Sequence, residues 1–434
     1  MKLTVFQSDK GDCLLLTNKA STRRVLIDGG MSESYTAHAA PTLGDLAKNR
    51  KKIDVVYVSH IDEDHISGVL KMLDDLVAWR VHKYQVGRGN AAHPEPKSAC
   101  PPEIRGIWHN SFHDDKSKNA QKIEDLLAAT ATILSGASAQ KLRELSERHR
   151  DMATSMTQAL EVSRRIGEKE LKIPLNEKFD GKLMTIRADM PALAIGSMKF
   201  FLIGPFQEDL EILKKKWNAW LDTEAGAAAV RAVNEGSREN QRDLGNVAQN
   251  VLAPLIAAAT VLGRRSGVTA PNLASLMFLV EESGRSLLLT GDGHWRDILK
   301  GLEHHGKLSA AKNLHVNVLK VQHHGAEFNW KEEFGQAITA DHYIFCGNGA
   351  HVNPNLTVIE AIVKSRLGSP TERSQHPKAG QPFKLWFNSN SQASTTKNND
   401  HMRAVEKLAQ KLANQSGGKM TFSFLTGSKF ELTV

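Results

Sequence analysis

The sequence predicts an α/β fold in which strands end at ligand-type side chains. Short apolar, β-branched runs alternate with stretches that carry apolar residues at helical spacing, the pattern of an α/β domain. Four of these runs stop at histidine, aspartate or glycine, and sites in open α/β sheets lie at the carboxyl ends of strands. A long polar middle section separates the two groups of strands and predicts a large, mostly helical insertion.

The most informative stretch is residues 55–68. An apolar run, predicted to be a buried strand, ends at His60, and apolar residues at helical spacing continue from Ile66. Between them stand two histidines and three acids: His60, Asp62, Glu63, Asp64 and His65. Imidazole and carboxylate bind first-row divalent ions where no thiolate is offered. The alternative, in which Asp62 and Asp64 cap the helix, needs only one acid, so we predict a metal site.

Length and composition exclude several classes of protein. With 434 residues, 41% of them apolar, the chain can bury a large core in one elaborated domain or two ordinary ones. No run approaches the roughly 18 apolar residues of a membrane span, and the first residues turn polar too early for a signal peptide. The 3 cysteines form no disulfide framework, so we expect a cytoplasmic protein. The net charge of +8 favours an anionic partner, but only weakly.

The first fifty or so residues predict an antiparallel meander and a helix. Strand-like runs at Leu3–Phe6 and Cys13–Thr17 flank a short turn, and a third run at Arg24–Ile27 ends at Asp28-Gly29-Gly30. The glycines leave room for Asp28 to point at a partner, although an ordinary turn has the same pattern. Thr42–Asn49 predicts a helix that leads into the strand before His60.

The middle of the chain has a different composition. Prolines and glycines between 84 and 119 predict an irregular excursion, whose histidines lack the spacing of metal ligands: His93, His109 and His113. Residues 119–170 predict amphipathic helices, 198–204 a strand, and 208–222 and 225–265 further helices. The basic residues fit a solvated face or a nucleic-acid groove built from Arg143, Arg148, Arg150, Arg164 and Arg165. A lid over a site and a spacer would both have this composition.

The last third predicts a hairpin that starts at Leu273–Val280, and three strands that end at ligand-type residues. These are Ser286–Thr290 before Asp292, Val316–Val321 before His323 and His324, and His342–Cys346 before His351. With the strand before His60 there are four such strand ends, which indicates that these side chains meet at one edge. The tail predicts a strand at Phe383–Phe387, a helix at Met402–Asn414 and a final pair of strands ending at Val434.

Taken together, these motifs resemble the metallo-β-lactamase superfamily. His60-x-Asp62-x-Asp64-His65 is similar to its His-x-His-x-Asp-His signature, with Asp62 in place of the second histidine. Within the superfamily the chain most resembles the ComEC-like hydrolases, named after the cytoplasmic domain of a competence DNA-uptake protein. Further matching motifs are Gly11-Asp12, Asp28-Gly29-Gly30, Asn272-x-x-Ser275, Gly291-Asp292, His323-His324-Gly325 and His351-x-x-Pro354. The resemblance covers residues 1–85 and 269–365.

The resemblance implies a metallo-β-lactamase four-layered αβ/βα sandwich with a large, mostly helical insertion. Its halves would be residues 1–84 and, with the tail, 269–434, and the insertion would be 85–268. One or two divalent ions, Zn or Mn, would bind at the edge of the sandwich. Carried over by motif, the ligands are His60 and Asp62 for the first ion, Asp64 and His65 for the second, Asp292 as the bridge, and one of His323 and His324, with His323 preferred.

Three further residues would support these ligands as neighbours: Asp28, Asn272 and Ser275. Many members of the superfamily have a histidine for the first ion where Asn272 stands here. The first ion would therefore have few strong ligands. Substituting carboxylate for imidazole also makes Mn²⁺ a credible ion beside Zn²⁺.

The resemblance predicts a metal-dependent hydrolase, most specifically a phosphodiesterase or nuclease that acts through a metal-bound hydroxide. Asp64 would hold the ion and orient the water, and His324 and His351 would contact phosphate oxygens or protonate the leaving oxygen. Nucleic acid is the expected substrate, and the insertion is a candidate surface for a partner protein. Two alternatives stay open: a hydrolase of a small phosphoester, nucleotide or lactone, and a metal-binding effector without catalysis.

Overall fold

Two β-sheets face each other and carry helices on their outer sides. The computed structural model describes residues 1–110, 158–159, 161–208, 275–393 and 396–434. The remaining residues include most of the helices predicted between 119 and 265, together with Asn272, Arg143, Arg148 and Arg150. Within the described ranges, every helix is too short or too polar to cross a lipid bilayer.

The strands and helices of the described ranges follow in chain order. The strands are β1 (Lys2–Phe6), β2 (Leu14–Thr17), β3 (Arg24–Ile27), β4 (Val55–Tyr57), β5 (Ile107–Trp108), β6 (Leu193–Ile195), β7 (Met198–Gly204), β8 (Met277–Glu282), β9 (Arg285–Leu289), β10 (Leu314–Lys320), β11 (Ile338–Phe345), β12 (Phe383–Phe387), β13 (Met420–Phe424) and β14 (Lys429–Thr433). The longer helices are α1 (Ala40–Lys48), α2 (Glu63–Gly87), α3 (Trp295–His304), α4 (Glu332–Ala337), α5 (Leu356–Leu367) and α6 (Thr396–Gln415).

The first sheet has six strands in the order β14-β1-β2-β3-β4-β5. Strands β1, β2 and β3 form the antiparallel meander that the sequence predicts, and β14 adds to β1. Strands β3, β4 and β5 are parallel to one another. Their carboxyl ends therefore meet at one edge of the sheet, where Asp28 and the loop from His60 to His65 begin.

The second sheet has eight strands in the order β13-β12-β11-β10-β9-β8-β7-β6. Strands β6 to β9 are antiparallel neighbours, whereas β9 to β13 are parallel. The carboxyl ends of β9, β10 and β11 thus also meet at one edge. Strand β9 is followed by Asp292, strand β10 by His323 and His324, and strand β11 by the loop that contains His351.

Both faces of each sheet are buried, which gives the fold its four layers. Along β2, Leu14 and Leu16 belong to the core between the sheets, whereas Leu15 packs in the outer core with residues of α1 and α2. On β8, Phe278 faces inward and Leu279 packs outward in a core shared with α3, α4, α5 and α6. Successive side chains of a strand point to opposite faces, so continuous apolar runs produce this burial. The fold is the αβ/βα sandwich that the resemblance implies.

Parts of the middle section belong to the two sheets. Strand β5 extends the first sheet, and β6 and β7 extend the second, with β7 at the position predicted for a strand. Val162, Ile166 and Ile173 pack in the core beneath α2. The sandwich therefore draws strands and core residues from between 85 and 208, as well as from the two ends of the chain.

The two final strands that the sequence predicts are present, but they lie in different sheets. Strand β13 pairs with β12 in the second sheet, whereas β14 pairs with β1 in the first. Met420 of β13 packs in the core of α5 and α6, and Leu432 of β14 packs in the core between the sheets. The turn between them crosses from one sheet to the other. A short strand's sequence shows which face is apolar but does not show which strand lies beside it.

Candidate metal centre

The predicted ligands converge where the parallel strands of both sheets end. From the first sheet, the loop after β4 and the first turn of α2 supply one group, and from the second sheet the loops after β9 and β10 supply the other. The side chains that meet are His60, Asp62, Asp64, His65, Asp292, His323 and His324. The site thus bridges the two halves of the sandwich.

Asp28 fixes the ring of His65. Its Oδ2 lies 2.9 Å from His65 Nδ1, and its two oxygens also accept hydrogen bonds from Ser59 N and Ser59 Oγ, each at 2.7 Å. Because a carboxylate only accepts, His65 Nδ1 carries the proton in the neutral ring and Nε2 keeps a lone pair. That lone pair is directed into the site. Asp28 thus contacts one of the predicted ligands.

The glycines after Asp28 allow this loop to pack directly on α2. A Cβ placed on Gly68 would lie 2.0 Å from Gly29 O, so neither position has room for a side chain. Gly29 N donates to His65 O at 2.8 Å, and Gly68 N donates to Gly30 O at 2.9 Å. The Asp28-Gly29-Gly30 motif therefore serves to clamp the start of α2, and with it His65, against β3.

His323 and His324 point in different directions. Both have left-handed backbone conformations, with φ of 46° and 54°, and their rings are inclined at 73°. His323 Nδ1 is 2.8 Å from Asn329 Oδ1, and His324 Nδ1 is 2.8 Å from Cys346 O. Both oxygens are acceptors, so each neutral ring again keeps its lone pair at Nε2. Consecutive left-handed residues are costly and are found most often at functional sites.

One group of ligand atoms forms around His324. Its Nε2 lies 3.2 Å from Asp64 Oδ2, 3.4 Å from Asp292 Oδ2 and 3.4 Å from His65 Nε2. His65 Nε2 lies 3.5 Å from Asp292 Oδ1. His323 Nε2 approaches Asp292 Oδ2 at 3.6 Å. The geometry therefore groups His324, rather than the preferred His323, with Asp64 and His65, because the two left-handed residues turn the rings apart.

A second group forms around His60. Its Nε2 lies 3.5 Å from Asp62 Oδ2 and 3.7 Å from Asp292 Oδ2. Its Nδ1 is 3.0 Å from Ser59 Oγ, which donates its own proton to Asp28. Asp62 stands at the N-cap position of α2 but makes no side-chain capping hydrogen bond. The capping interpretation of Asp62 therefore does not hold. Asp292 contacts both the group around His60 and the group around His324.

The donor set fits a divalent cation. Within the described residues, His60 Nε2 and Asp292 Oδ1 are buried atoms without a hydrogen-bond partner. Imidazole nitrogens and carboxylate oxygens are the ligands of Zn²⁺ and related first-row ions. A buried acceptor that lacks a donor is costly, and a coordinated cation removes that cost. The residues that could hold such an ion are His60, Asp62, Asp64, His65, Asp292 and His324.

The acids and histidines of the site stabilise each other's charged forms. Burial opposes a charge on His65 and His324, but the surrounding carboxylates, Asp292 foremost, outweigh it and raise the pKa of both rings well above the usual value. Burial likewise opposes ionisation of Asp64 and Asp292. The nearby histidines outweigh it and hold the pKa of both carboxyls below the usual value. Without a cation, protons on these rings balance the carboxylates.

Asp12 and Lys320 are site residues that the sequence-based prediction missed. Asp12, His65, Asp292 and His324 all offer ligand atoms within 4.8 Å of one another. Asp12 forms a buried ion pair with Lys320 Nζ, which also donates to Gly291 O at 3.1 Å. Burial raises the pKa of Asp12, but Lys320 and His65 outweigh it and lower that pKa to about 2. Because Lys320 already neutralises Asp12, Asp64 is the better ligand. In the sequence, a lysine at the end of the apolar run of β10 is the feature that could have indicated a buried charge at Lys320.

Some predicted residues lie apart from this cluster. His351 is exposed in a left-handed turn (φ 53°), on a loop joined to the His324 loop by Asn355 N and Gly325 O at 3.0 Å. Ser275 is buried beside Gly291, and its Oγ has no hydrogen-bond partner among the described residues. Arg164 and Arg165 form ion pairs with acids: Glu161, Glu170 and Asp74.

Comparison with known proteins supports this fold. Residues 9–86 match the family model described as the metallo-beta-lactamase superfamily. This segment contains β2, β3, β4, the motif from His60 to His65, and nearly all of α2. The family match thus covers the segment that holds the motif, and the αβ/βα sandwich is the fold of that superfamily.

Two further comparisons add little. The solved structure of Zn(2+)-bound PqqB from Methylobacterium extorquens aligns over 100% of both chains, with 10% sequence identity and a TM-score of 0.33. No inference about this chain follows from a similarity at that level. The curated proteins give no match to the sequence.

Proposed function

We propose that the protein is a metal-dependent hydrolase of phosphodiesters, with nucleic acid as its substrate. One observation carries the proposal: the imidazole Nε2 atoms of His60, His65 and His324 converge on the carboxylates of Asp64 and Asp292, while each Nδ1 is engaged elsewhere. Nε2 atoms presented in this way are available to a cation. Most members of the superfamily that residues 9–86 match are metal-dependent hydrolases.

Each residue has a separate role in this proposal. Asp64, His65 and His324 would hold one cation and His60 and Asp62 a second, and the carboxylate of Asp292 approaches both groups of side chains. A coordinated divalent cation supplies Lewis acidity and can lower the pKa of water from 15.7 to about 7. Asp28 and the carbonyl of Cys346 orient two of the rings, as supporting partners of metal ligands do.

His323 is the best placed proton acceptor. Burial lowers the pKa of its ring despite the nearby carboxylate of Asp292, so the ring is neutral at neutral pH. Asn329 accepts a hydrogen bond from Nδ1, which leaves the Nε2 lone pair free to take a proton. Its side chain is 27% exposed, whereas that of His324 is 6% exposed. His323 therefore faces the side from which a substrate and water would enter.

The substrate class rests on charge and chemistry. The ligand set is rich in carboxylate oxygens, which suit the hard divalent ions that act on phosphates. A net charge of +8 favours a polyanion. His351, exposed on the loop beside His324, is a candidate contact for phosphate oxygens. Arg164 and Arg165 are engaged with acids, so they give the nucleic-acid proposal no support.

The proposal is tested by cleavage of labelled single- and double-stranded DNA with Mn²⁺, Zn²⁺ or Mg²⁺. Asp64→Asn keeps the size of the side chain but removes a charged ligand, so we expect metal-dependent cleavage to be lost. Glu63→Gln is the matched control, because Glu63 neighbours Asp64 in α2 but pairs with Lys10 at 3.2 Å. Full activity in Asp64→Asn would contradict the metal assignment. Metal binding without cleavage of either DNA would contradict the nucleic-acid assignment.

A further inference from the structure

His109 is a buried histidine whose ring nitrogens are not engaged by the fold. The residue is 1% exposed, and neither Nδ1 nor Nε2 has a hydrogen-bond partner within the described residues. In this it differs from His65, His323 and His324, each of which has its Nδ1 engaged by an acceptor. Leaving a buried polar group unsatisfied costs about 1–3 kcal/mol. Such a group in a folded protein calls for an explanation, and an ion is one.

The backbone around His109 is held firmly in place. Asn176 Oδ1 accepts from His109 N at 2.9 Å, and Asn176 Nδ2 donates to His109 O at 2.8 Å. The next residue is held in the same way, since Asn110 exchanges two 2.8 Å hydrogen bonds with the backbone of Met184. Two side-chain amides thus fix the segment on either side of the ring. The ring is therefore held by a fixed backbone, and both of its nitrogens remain without a hydrogen-bond partner among the described residues.

The sheet brings His109 to the edge where His60 lies. Strands β4 and β5 are parallel, with Tyr57 opposite Trp108, and Val58 N donates to Trp108 O at 2.9 Å. His109 follows β5 directly, as His60 follows the extended end of β4. By this register His109 lies beside Val58, two residues before His60 on the neighbouring strand.

We propose that His109 is a ligand of the cation that His60 and Asp62 hold. It would supply the imidazole that the sequence lacks at Asn272. With Asp292, these residues would offer four nitrogen and oxygen donors, the number that zinc takes in tetrahedral sites. The inference rests on the proposed metal centre and adds one ligand from a strand that the signature motif does not include.

The test compares His109→Phe and His109→Cys with the wild-type chain. Phenylalanine retains the shape of the ring without a donor, whereas cysteine replaces the imidazole with a thiolate ligand. His82 provides the matched control, because its Nδ1 is also buried without a partner but its ring packs on Trp79 in α2. Each variant is titrated with Zn²⁺ to measure stoichiometry and affinity, and with Co²⁺ to record its absorption spectrum.

We expect His109→Phe to weaken one cation site at least about tenfold, or to remove it, while the other site is retained. His109→Cys should bind Co²⁺ with a thiolate-to-cobalt charge-transfer band that the wild type and His82→Cys lack. Unchanged affinity in His109→Phe together with no such band in His109→Cys would overturn the inference and leave His109 as a packing residue. A wild-type chain that binds no cation would overturn the proposed metal centre itself.

Discussion

His65 Nε2 lies 3.4 Å from His324 Nε2, although 259 positions separate the two residues in the chain. His65 belongs to the first turn of α2 beside the first sheet, and His324 follows β10 of the second sheet. An acceptor holds the Nδ1 atom of each ring. Two lone pairs that face each other at this distance repel unless a proton or a cation lies between them. The apposition of the two sheets therefore creates a site that requires a positive charge.

Cation binding should release protons and strengthen as the pH rises. Carboxylates raise the pKa of His65 and His324, so both rings are protonated near neutral pH before a cation binds. The ligands must be neutral imidazoles, so each ring must lose its proton. We expect up to two protons to be released for the ion at this pair. Calorimetric titration with Zn²⁺ in buffers of different ionisation enthalpy measures that number.

His324→Gln is the control for proton release, because it should reduce the number of protons by one. Binding that is independent of pH across the neutral range would contradict the expectation.

The raised pKa values of His65 and His324 also make the stability of the metal-free protein depend on pH. The stability that the protonated rings contribute is complete below the pKa of an exposed histidine, about 6.5, and is lost as the pH rises through the raised values.

Asp28→Asn should weaken cation binding without unfolding the chain. The amide retains the size of the carboxylate, but it removes the charge that fixes the Nδ1 proton of His65. Loss of such supporting partners lowers metal affinity by about 10- to 100-fold. The affinity for Zn²⁺, measured by competition with a chelating dye, tests this. Asp45→Asn is the control, because Asp45 is an exposed acid of α1 that pairs only locally with Lys48. Equal affinities in the two variants would contradict the role given to Asp28.

Much of the site could be predicted because it follows the ends of strands. Largely continuous apolar runs locate β4, β9, β10 and β11. The pairing of the strands then places the polar residues that follow each run. The motif from His60 to His65 packs its ligands into one loop and one helical turn, so their proximity is given by the chain itself. Asp292 and His324 reach them because parallel strands bring their carboxyl ends together.

Other features depend on contacts that a single sequence does not contain. The ion pair of Asp12 and Lys320 joins the turn after β1 to the end of β10, and neither residue alone indicates the other. The choice between His323 and His324 depends on two left-handed backbone conformations. His109 stands in a stretch of prolines and glycines with no ligand-like spacing, and only the pairing of β5 with β4 brings it to the site edge.

Gly11→Ala should disturb the site through the backbone of Asp64. A Cβ at Gly11 would lie 1.6 Å from Asp64 O, so the turn after β1 must move away from α2. Overpacking of this kind costs about 1–3 kcal/mol, and the shift of Asp64 should also weaken cation binding. Gly427→Ala is the control, since no atom lies within 4 Å of a Cβ there. Unfolding in urea and titration with Zn²⁺ measure both effects. Equal stability and equal Zn²⁺ affinity in the two variants would show that the turn relaxes without moving Asp64.

The ion pair of Lys320 with Asp12 should show strong coupling in stability. Both side chains are 2% exposed, and Lys320 Nζ is also 3.7 Å from Asp292 Oδ1. Removing one partner leaves a buried charge uncompensated, so Lys320→Met and Asp12→Asn should each cost about 3–5 kcal/mol, and the double variant much less than their sum. The exposed pair of Lys2 with Glu431 is the control cycle, for which we expect a coupling below about 1 kcal/mol. Urea unfolding of the four chains in each cycle gives these energies. Additive losses at Lys320 and Asp12 would show that each residue is stabilised by other neighbours, Asp292 among them, rather than by its partner.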